Sequence, residues 1–212
     1  MIPSQSPSVA QKRYLILIRH PKVADKYRGV CYGQADVPLA SGWEYSLLDV
    51  LTFLRRLPPE QQPKRIWNSG LQRTISPSLW LARQLRLDAD QDCRLKERDF
   101  GSWQSKPWDA IPQAEVMQSH AMLDDPMHYR PGGGETTSEL QRRSLDWLES
   151  ARLADPSPTA IVAIAHSGSI TTLAGGILSL SPRDWTPYYL KPSQSVAVLL
   201  MDSSASVVHT IP

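Results

Sequence analysis

The sequence predicts an α/β fold, a three-layer αβα sandwich with a mostly parallel central sheet. Two observations carry this class. Tyr14–Ile18 and Ala160–Ala165 (Ala-Ile-Val-Ala-Ile-Ala) are short, almost wholly apolar runs, the pattern of strands buried on both faces of a parallel sheet. Stretches with apolar residues at helical spacing separate them, and strands interleaved with helices build layered α/β domains.

The elements follow in chain order. Tyr14–Ile18 forms the first strand and ends at Arg19-His20-Pro21. Ser41-Gly42-Trp43-Glu44 has the form of a capping box, after which Trp43, Leu47, Leu48, Leu51, Leu54 and Leu57 keep helical spacing until Pro58-Pro59 stops them. Arg65–Trp67 reads as a strand, Asn68-Ser69-Gly70 as a turn, and the stretch to Leu85 as a helix opened by Arg73, which Pro77 must kink or delay. Pro131–Gly134 is turn-rich and precedes a helix near Ser138–Ala151 whose Leu140, Trp147, Leu148 and Ala151 face inward. Ala160–Ala165 leads through His166-Ser167-Gly168 into an apolar helical segment, Ile170–Leu178. Ser195–Met201 and Val207–Ile211 alternate as strands do and are joined by a Ser-rich turn.

Composition narrows the functional classes. The 212 residues fit one large domain, read as 14–212, behind a flexible tail over 1–13 that contains Pro3 and Pro7. With 23 Lys and Arg against 21 Asp and Glu, the formal charge is +2 and no stretch concentrates cations, which argues against nucleic acid and membrane surfaces as partners. The longest apolar runs are far short of the roughly 20 residues that a spanning helix needs. At 41% hydrophobic and 21% charged residues the chain is too apolar for disorder. Two cysteines, Cys31 and Cys93, form no disulfide framework, and with no signal-like N-terminus the expected location is the cytoplasm.

Both apolar strands end on a histidine, His20 and His166. Ligands of open α/β sheets bind at the carboxyl ends of the strands, so both imidazoles fall where a site would lie. Arg19 and Arg73 join them there, and four cationic or potentially cationic groups on one rim call for an anion to offset their desolvation. Arginine's planar fork suits two phosphate oxygens at once. His120, His128 and His209 lack the spacing of zinc ligands and read as surface or interface residues. Gly132–Gly134 neither follows a strand nor precedes a Lys-Ser/Thr pair, and reads as a flexible loop rather than a phosphate cradle.

Four segments, Leu15–Pro21, Ser69–Thr74 with its Ser-x-Leu-x-Arg-like turn, the acid-bearing Leu95–Gly101, and Ala165–Gly168, taken together resemble the histidine phosphatase, or phosphoglycerate mutase-like, superfamily. The resemblance implies a phosphoglycerate mutase-like sandwich and a metal-independent phosphomonoesterase with no cofactor. His20 would be the nucleophile, Glu97 the proton donor, and Arg19, Arg73 and His166 the groups around the phosphoryl oxygens. Lys26 takes the place of a family asparagine that touches phosphate, and Tyr32 and Ser167 complete the implied substrate contacts. Pro21 replaces a usual glycine. Glu97 stands among Arg94, Lys96 and Arg98, so a solvated salt-bridge cluster is the alternative to its acid role.

Within the superfamily, Val30–Leu39, Asp99–Trp103 and Arg130–Glu135 resemble α-ribazole phosphatases of cobalamin assembly. That likeness implies a nucleotide-like small phosphate ester as partner, with Tyr32, Trp103, Trp108 and Tyr129 placed to wall its pocket. A broad-range or sugar-phosphate phosphatase is the main alternative. A phosphoglycerate mutase fits less well because Gln104–Tyr129 offers only Lys106 as a cation. A non-catalytic phospholigand-binding relative is the reading from a different class, and a homodimer is left open as the assembly.

Overall fold

The computed structural model describes residues 13–155, 159–201 and 205–211. In chain order they form β1 Arg13–Arg19, β2 Val30–Cys31, α1 Leu48–Arg55, β3 Arg65–Asn68, α2 Gln72–Leu85, β4 Asp88–Gln91 and β5 Lys106–Pro107. There follow α3 Gln113–Met117, α4 Ala121–Asp124, α5 Thr137–Ala154, β6 Ile161–Ala165, α6 Ser167–Ile177, β7 Ser195–Leu200 and β8 Ala205–Ile211. The expected tail over 1–12 and the Ser-rich turn at 202–204 lie outside the described residues, while Arg13 is already a strand residue.

Six strands make one sheet in the order β4-β3-β6-β1-β7-β8. The first four are parallel, and β7 and β8 complete the sheet antiparallel. The apolar runs occupy the middle because each residue there must bury a face. Leu15 and Leu17 of β1, with Ala163 of β6, pack under Trp147 and Leu148 of α5 and Ile170 and Leu173 of α6. Ile16 and Ile18, with Val162 and Ile164, pack on the opposite face against Val50 and Leu54 of α1 and Leu81 of α2. Each such fully buried Leu or Ile contributes about 1.5–3 kcal/mol of transfer free energy. The expected three layers are therefore present.

Two local readings are corrected. Ser41–Glu44 forms no capping box: Gly42 adopts φ 71°, a 3₁₀ turn covers Trp43–Leu47, and α1 begins only at Leu48. Within that turn the Ser46 hydroxyl donates to the Trp43 carbonyl at 2.6 Å, and the Ser193 hydroxyl lies 2.6 Å from it. Pro77 neither delays nor interrupts α2, which starts at Gln72 and runs to Leu85 with Pro77 buried inside it. A capping box does exist at α5, where Thr136 Oγ1 accepts from Glu139 N–H at 3.1 Å and the Glu139 carboxylate accepts from Thr136 N–H at 3.0 Å.

The topology prepares a site. The chain leaves β1 toward β3 on one side, whereas it leaves β6 toward β7 on the other, so the adjacent carboxyl ends of β1 and β6 lie at a topological switch point. The register pairs Arg19 with Ala165. The next residues along the two strands are His20 and His166.

Candidate active site

His20 N–H donates to the Ala165 carbonyl at 3.0 Å, extending the ladder by one bond. The two imidazoles meet edge to face with centroids 5.2 Å apart, and both are buried. His20 Nδ1 lies 2.7 Å from the Pro21 carbonyl. A carbonyl can only accept, so Nδ1 carries the proton and Nε2 keeps its lone pair. Burial, and then the Arg73 charge, push the His20 pKa down from 6.5 to about 3. The outcome is a neutral imidazole with an unshared pair, the state a nucleophile needs.

His166 is fixed in the other tautomer. Arg73 Nε–H donates to His166 Nδ1 at 3.2 Å, so the proton resides on Nε2, which donates to Ser69 Oγ at 2.8 Å. The direction of the chain is consistent to its end. Thr74 spends its hydroxyl proton on the Leu71 carbonyl, leaving its oxygen to accept from Ser69. Burial and the Arg73 charge hold the His166 pKa well below 6.5, so only the arginines of the predicted cluster carry positive charge. Ser69 is a site residue that sequence reasoning missed as such, although it begins the quoted turn.

Arg73, the second residue of α2, is fully buried. It donates to the Gly33 and Ala35 carbonyls at 2.5 and 2.7 Å, while Asp36 Oδ1 accepts from Gln72 N–H at 2.8 Å at the start of α2. The segment Val30–Leu39 is thereby strapped to the helix. Tyr32 rides on this strap, with the Arg73 guanidinium 5.0 Å over its ring and the His20 ring 6.4 Å away. Arg19 donates to the Leu190 carbonyl at 2.6 Å, and its buried Nε has no hydrogen-bond partner among the described residues.

Glu97 ion-pairs with neither arginine flanking it. Arg94 engages Asp92, and Arg98 engages Thr137 and the Glu135 carbonyl. The Glu97 carboxylate instead accepts from Arg98 N–H at 2.8 Å and from Gly168 N–H, an unsatisfied donor at the start of α6, at 3.2 Å. A Cβ at position 168 would overlap that carboxylate. Glycine there admits the acid.

These features belong with the likeness to known proteins. The chain matches the histidine phosphatase superfamily (branch 1) over residues 15–211. It belongs to that superfamily. A metal-independent phosphoserine phosphatase of Arabidopsis thaliana is 28% identical over 200 residues, spanning 92% of this chain and 75% of that one. A glucosyl-3-phosphoglycerate phosphatase of Mycolicibacterium vanbaalenii is 26% identical over 185 residues, spanning 82% and 77%. Among solved structures, Bacillus stearothermophilus YhfR superposes with a TM-score of 0.80 at 20% identity, covering 92% of this chain and 95% of that one. An α-ribazole phosphatase from Shigella flexneri superposes at 0.77 with 17% identity, covering 94% and 96%. The expected sandwich is thus that of its superfamily, and this histidine phosphatase is a phosphoric monoester hydrolase by kinship.

Two cavities flank the histidine phosphatase site. One of about 240 Å³ lies on the Glu97 side and is lined by Arg98, Phe100, His120, Met122, Leu123, Ser167, Thr171, Thr172, Trp185 and Tyr189 as well as Glu97 and Gly168. The other, about 440 Å³, lies on the His20 side and includes Lys22, Arg28, Tyr32 and Trp108. Ser167 lines the Glu97-side cavity. Lys26 does not: its ammonium sits 5.1 Å over the Tyr27 ring outside both cavities. Lys22 and Arg28 face the His20 side instead, because the 3₁₀ turn Asp25–Tyr27 carries Lys26 away.

The aromatic wall is smaller than expected. Trp103 is buried against Cys31 and Ile111 with its indole N–H on Glu115, and Tyr129 donates its hydroxyl to the Glu115 carbonyl and lines neither cavity. His128 is an exposed partner of Asp125, as a surface residue would be, while His120 lines the Glu97-side cavity; the His209 side chain lies outside the described residues. The glycine run is packed, not loose. Gly132 and Gly134 lie against Asp99–Gly101 so closely that a Cβ on either would overlap that backbone. Among the described residues, no three His, Cys, Asp or Glu side chains gather to hold a metal ion, and no helix is long and apolar enough to cross a membrane.

Proposed function

We propose that this chain hydrolyses small phosphate monoesters through a phosphohistidine on His20, without a metal. The observation that carries the reading is His20, its Nδ1 held by the Pro21 carbonyl so that Nε2 keeps its lone pair, with its ring against that of His166, which Arg73 binds.

The steps balance with these residues alone. His20 Nε2 attacks phosphorus in line, a P–N bond forms, and the ester P–O bond breaks. Glu97 gives its proton to the departing alkoxide. Arg19 and Arg73 offset charge on the equatorial oxygens, and the His166 Nε2–H is available to them by exchange with Ser69. Water then attacks phosphorus as the Glu97 carboxylate takes its proton. The P–N bond breaks, and inorganic phosphate leaves with His20 neutral again.

For the ester itself we infer α-ribazole 5′-phosphate, the substrate of a late cobalamin step. In-line attack sends the alcohol away from His20 and toward Glu97, and the cavity there is walled largely by Phe100, Met122, Leu123, Trp185 and Tyr189. Such walls suit an aromatic nucleoside. A second reading is a carboxylate-bearing ester such as those named for the curated relatives, its carboxylate reaching back past the phosphate to Lys22 and Arg28 in the other cavity. The two cysteines are free thiols, in keeping with a cytoplasmic enzyme.

Phosphate release in EDTA separates the readings. The protein is offered α-ribazole 5′-phosphate, phosphoserine, glucosyl-3-phosphoglycerate and para-nitrophenyl phosphate at equal concentration. Preference for the first is expected. Preference for either carboxylate ester would replace the substrate assignment, and no release from any would overturn the phosphatase reading.

A further inference from the structure

We infer that Arg143, paired with Glu135, is the positioning residue that sets Glu97 for proton transfer. The inference rests on the acid role proposed above for Glu97. Arg143 projects from α5 toward the back of the acid-bearing segment. Its NH1 donates to the Arg94 and Lys96 carbonyls at 2.6 and 2.8 Å, and its NH2 to the Glu97 carbonyl at 2.9 Å. Its Nε and NH2 also grip the Glu135 carboxylate at 2.7 and 2.9 Å.

A guanidinium has five N–H donors, and here all five are spent. None remains for a phosphate, so Arg143 acts through other groups. Three of the five go to carbonyls of Arg94, Lys96 and Glu97, which fixes the backbone that carries the acid. Gln34 Nε2 adds a second bond to the Glu97 carbonyl at 3.0 Å. Glu135 is itself anchored: its N–H donates to the Asp99 carbonyl at 2.8 Å, and its own carbonyl accepts from Arg98 NH1 at 3.2 Å.

The packed glycine run explains how Glu135 arrives there. Gly134 lies so close to the Asp99 backbone that only glycine fits, and the next residue places its carboxylate on Arg143. The clamp thus ties α5, the glycine turn and the acid segment into one rigid unit. A one-ångström displacement of a reacting group costs on the order of a hundredfold in rate.

The test compares kcat/KM for an alkyl phosphate and for para-nitrophenyl phosphate, whose leaving anion needs little protonation. Wild type, Arg143→Lys, Glu97→Gln and the double variant are measured, with thermal unfolding as the control for folding. Lysine keeps the charge but not the planar five-donor fork. Arg143→Lys is expected to lose about a hundredfold on the alkyl ester, far less on the aryl ester, and to add nothing in the Glu97→Gln background. Equal losses on both esters in a folded Arg143→Lys protein, or losses that multiply in the double variant, would overturn the inference while leaving the acid role standing. If Glu97→Gln itself affects both esters equally, the acid role falls and this inference with it. Should Arg143→Lys not fold, Glu135→Gln, which weakens the same grip, is expected to give the same leaving-group signature, and its absence is decisive against the inference.

Discussion

The Glu97 carboxylate reaches the first turn of α6 only because residue 168 is glycine: its Oε2 accepts from Gly168 N–H at 3.2 Å, and a Cβ there would overlap its Oε1. Gly168 is the second residue of α6, and the atom a Cβ would meet is the end of a flexible side chain rather than backbone, so Gly168→Ala is compatible with the helix. It is therefore expected to keep or raise the melting temperature while lowering kcat/KM on alkyl esters by about a hundredfold through displacement of the acid. Unchanged turnover would remove the close contact from the mechanism.

Protonation of His20 opposes folding. An unfolded chain binds a proton on this imidazole below its ordinary 6.5, whereas the folded protein resists until about 3. The contribution to stability is full above about 6.5 and is lost as pH falls toward 3. Urea unfolding at pH 7 and pH 5 is expected to show a larger drop in wild type than in His20→Gln. The His20 ring resonances are expected to stay unshifted from pH 8 to pH 5, and a midpoint near 6.5 would contradict the assigned environment.

Ser69 accepts the His166 Nε2 proton in a fully buried position. Ser69→Ala leaves that donor without a partner, at a cost of about 1–3 kcal/mol. Denaturant midpoints would report the loss, and ring ¹⁵N shifts would report whether His166 keeps its proton on Nε2. The proton is expected to stay on Nε2, because Arg73 Nε–H still donates to Nδ1; an unchanged denaturant midpoint would mean that the Ser69 bond adds nothing to the fold.

Pro21 supplies a carbonyl, which any residue has, and rigidity, which few have. Pro21→Gly is expected to preserve the His20 tautomer and most activity while lowering stability by about 1 kcal/mol through added freedom in the unfolded chain. Loss of the phosphoenzyme in this variant would show that the ring itself matters to His20.

Much of this was legible because burial on two faces leaves a plain mark. The apolar runs of β1 and β6 announced central parallel strands, and their terminal histidines then fell together through the register of Arg19 with Ala165. β4 was not legible: Asp-Ala-Asp-Gln is an edge strand held by backbone bonds to β3, with no apolar pattern to betray it. Lys26 misled because spacing from His20 gives distance along the chain and not the turn the backbone takes at Asp25–Tyr27. Arg143 carried a signal that went unused. It lies three residues after Leu140 and four before Trp147, on the inward stripe of α5, where a cation needs a partner.

The central claim is that phosphate passes through His20 Nε2. Rapid quench of the protein with a radiolabelled monoester, followed by alkaline digestion and mass spectrometry, tests it most directly. The expected result is a single acid-labile, alkali-stable phosphate on the peptide carrying His20, absent from His20→Gln, which also fails to turn over. Phosphate on another residue, or comparable turnover by His20→Gln, would contradict the account.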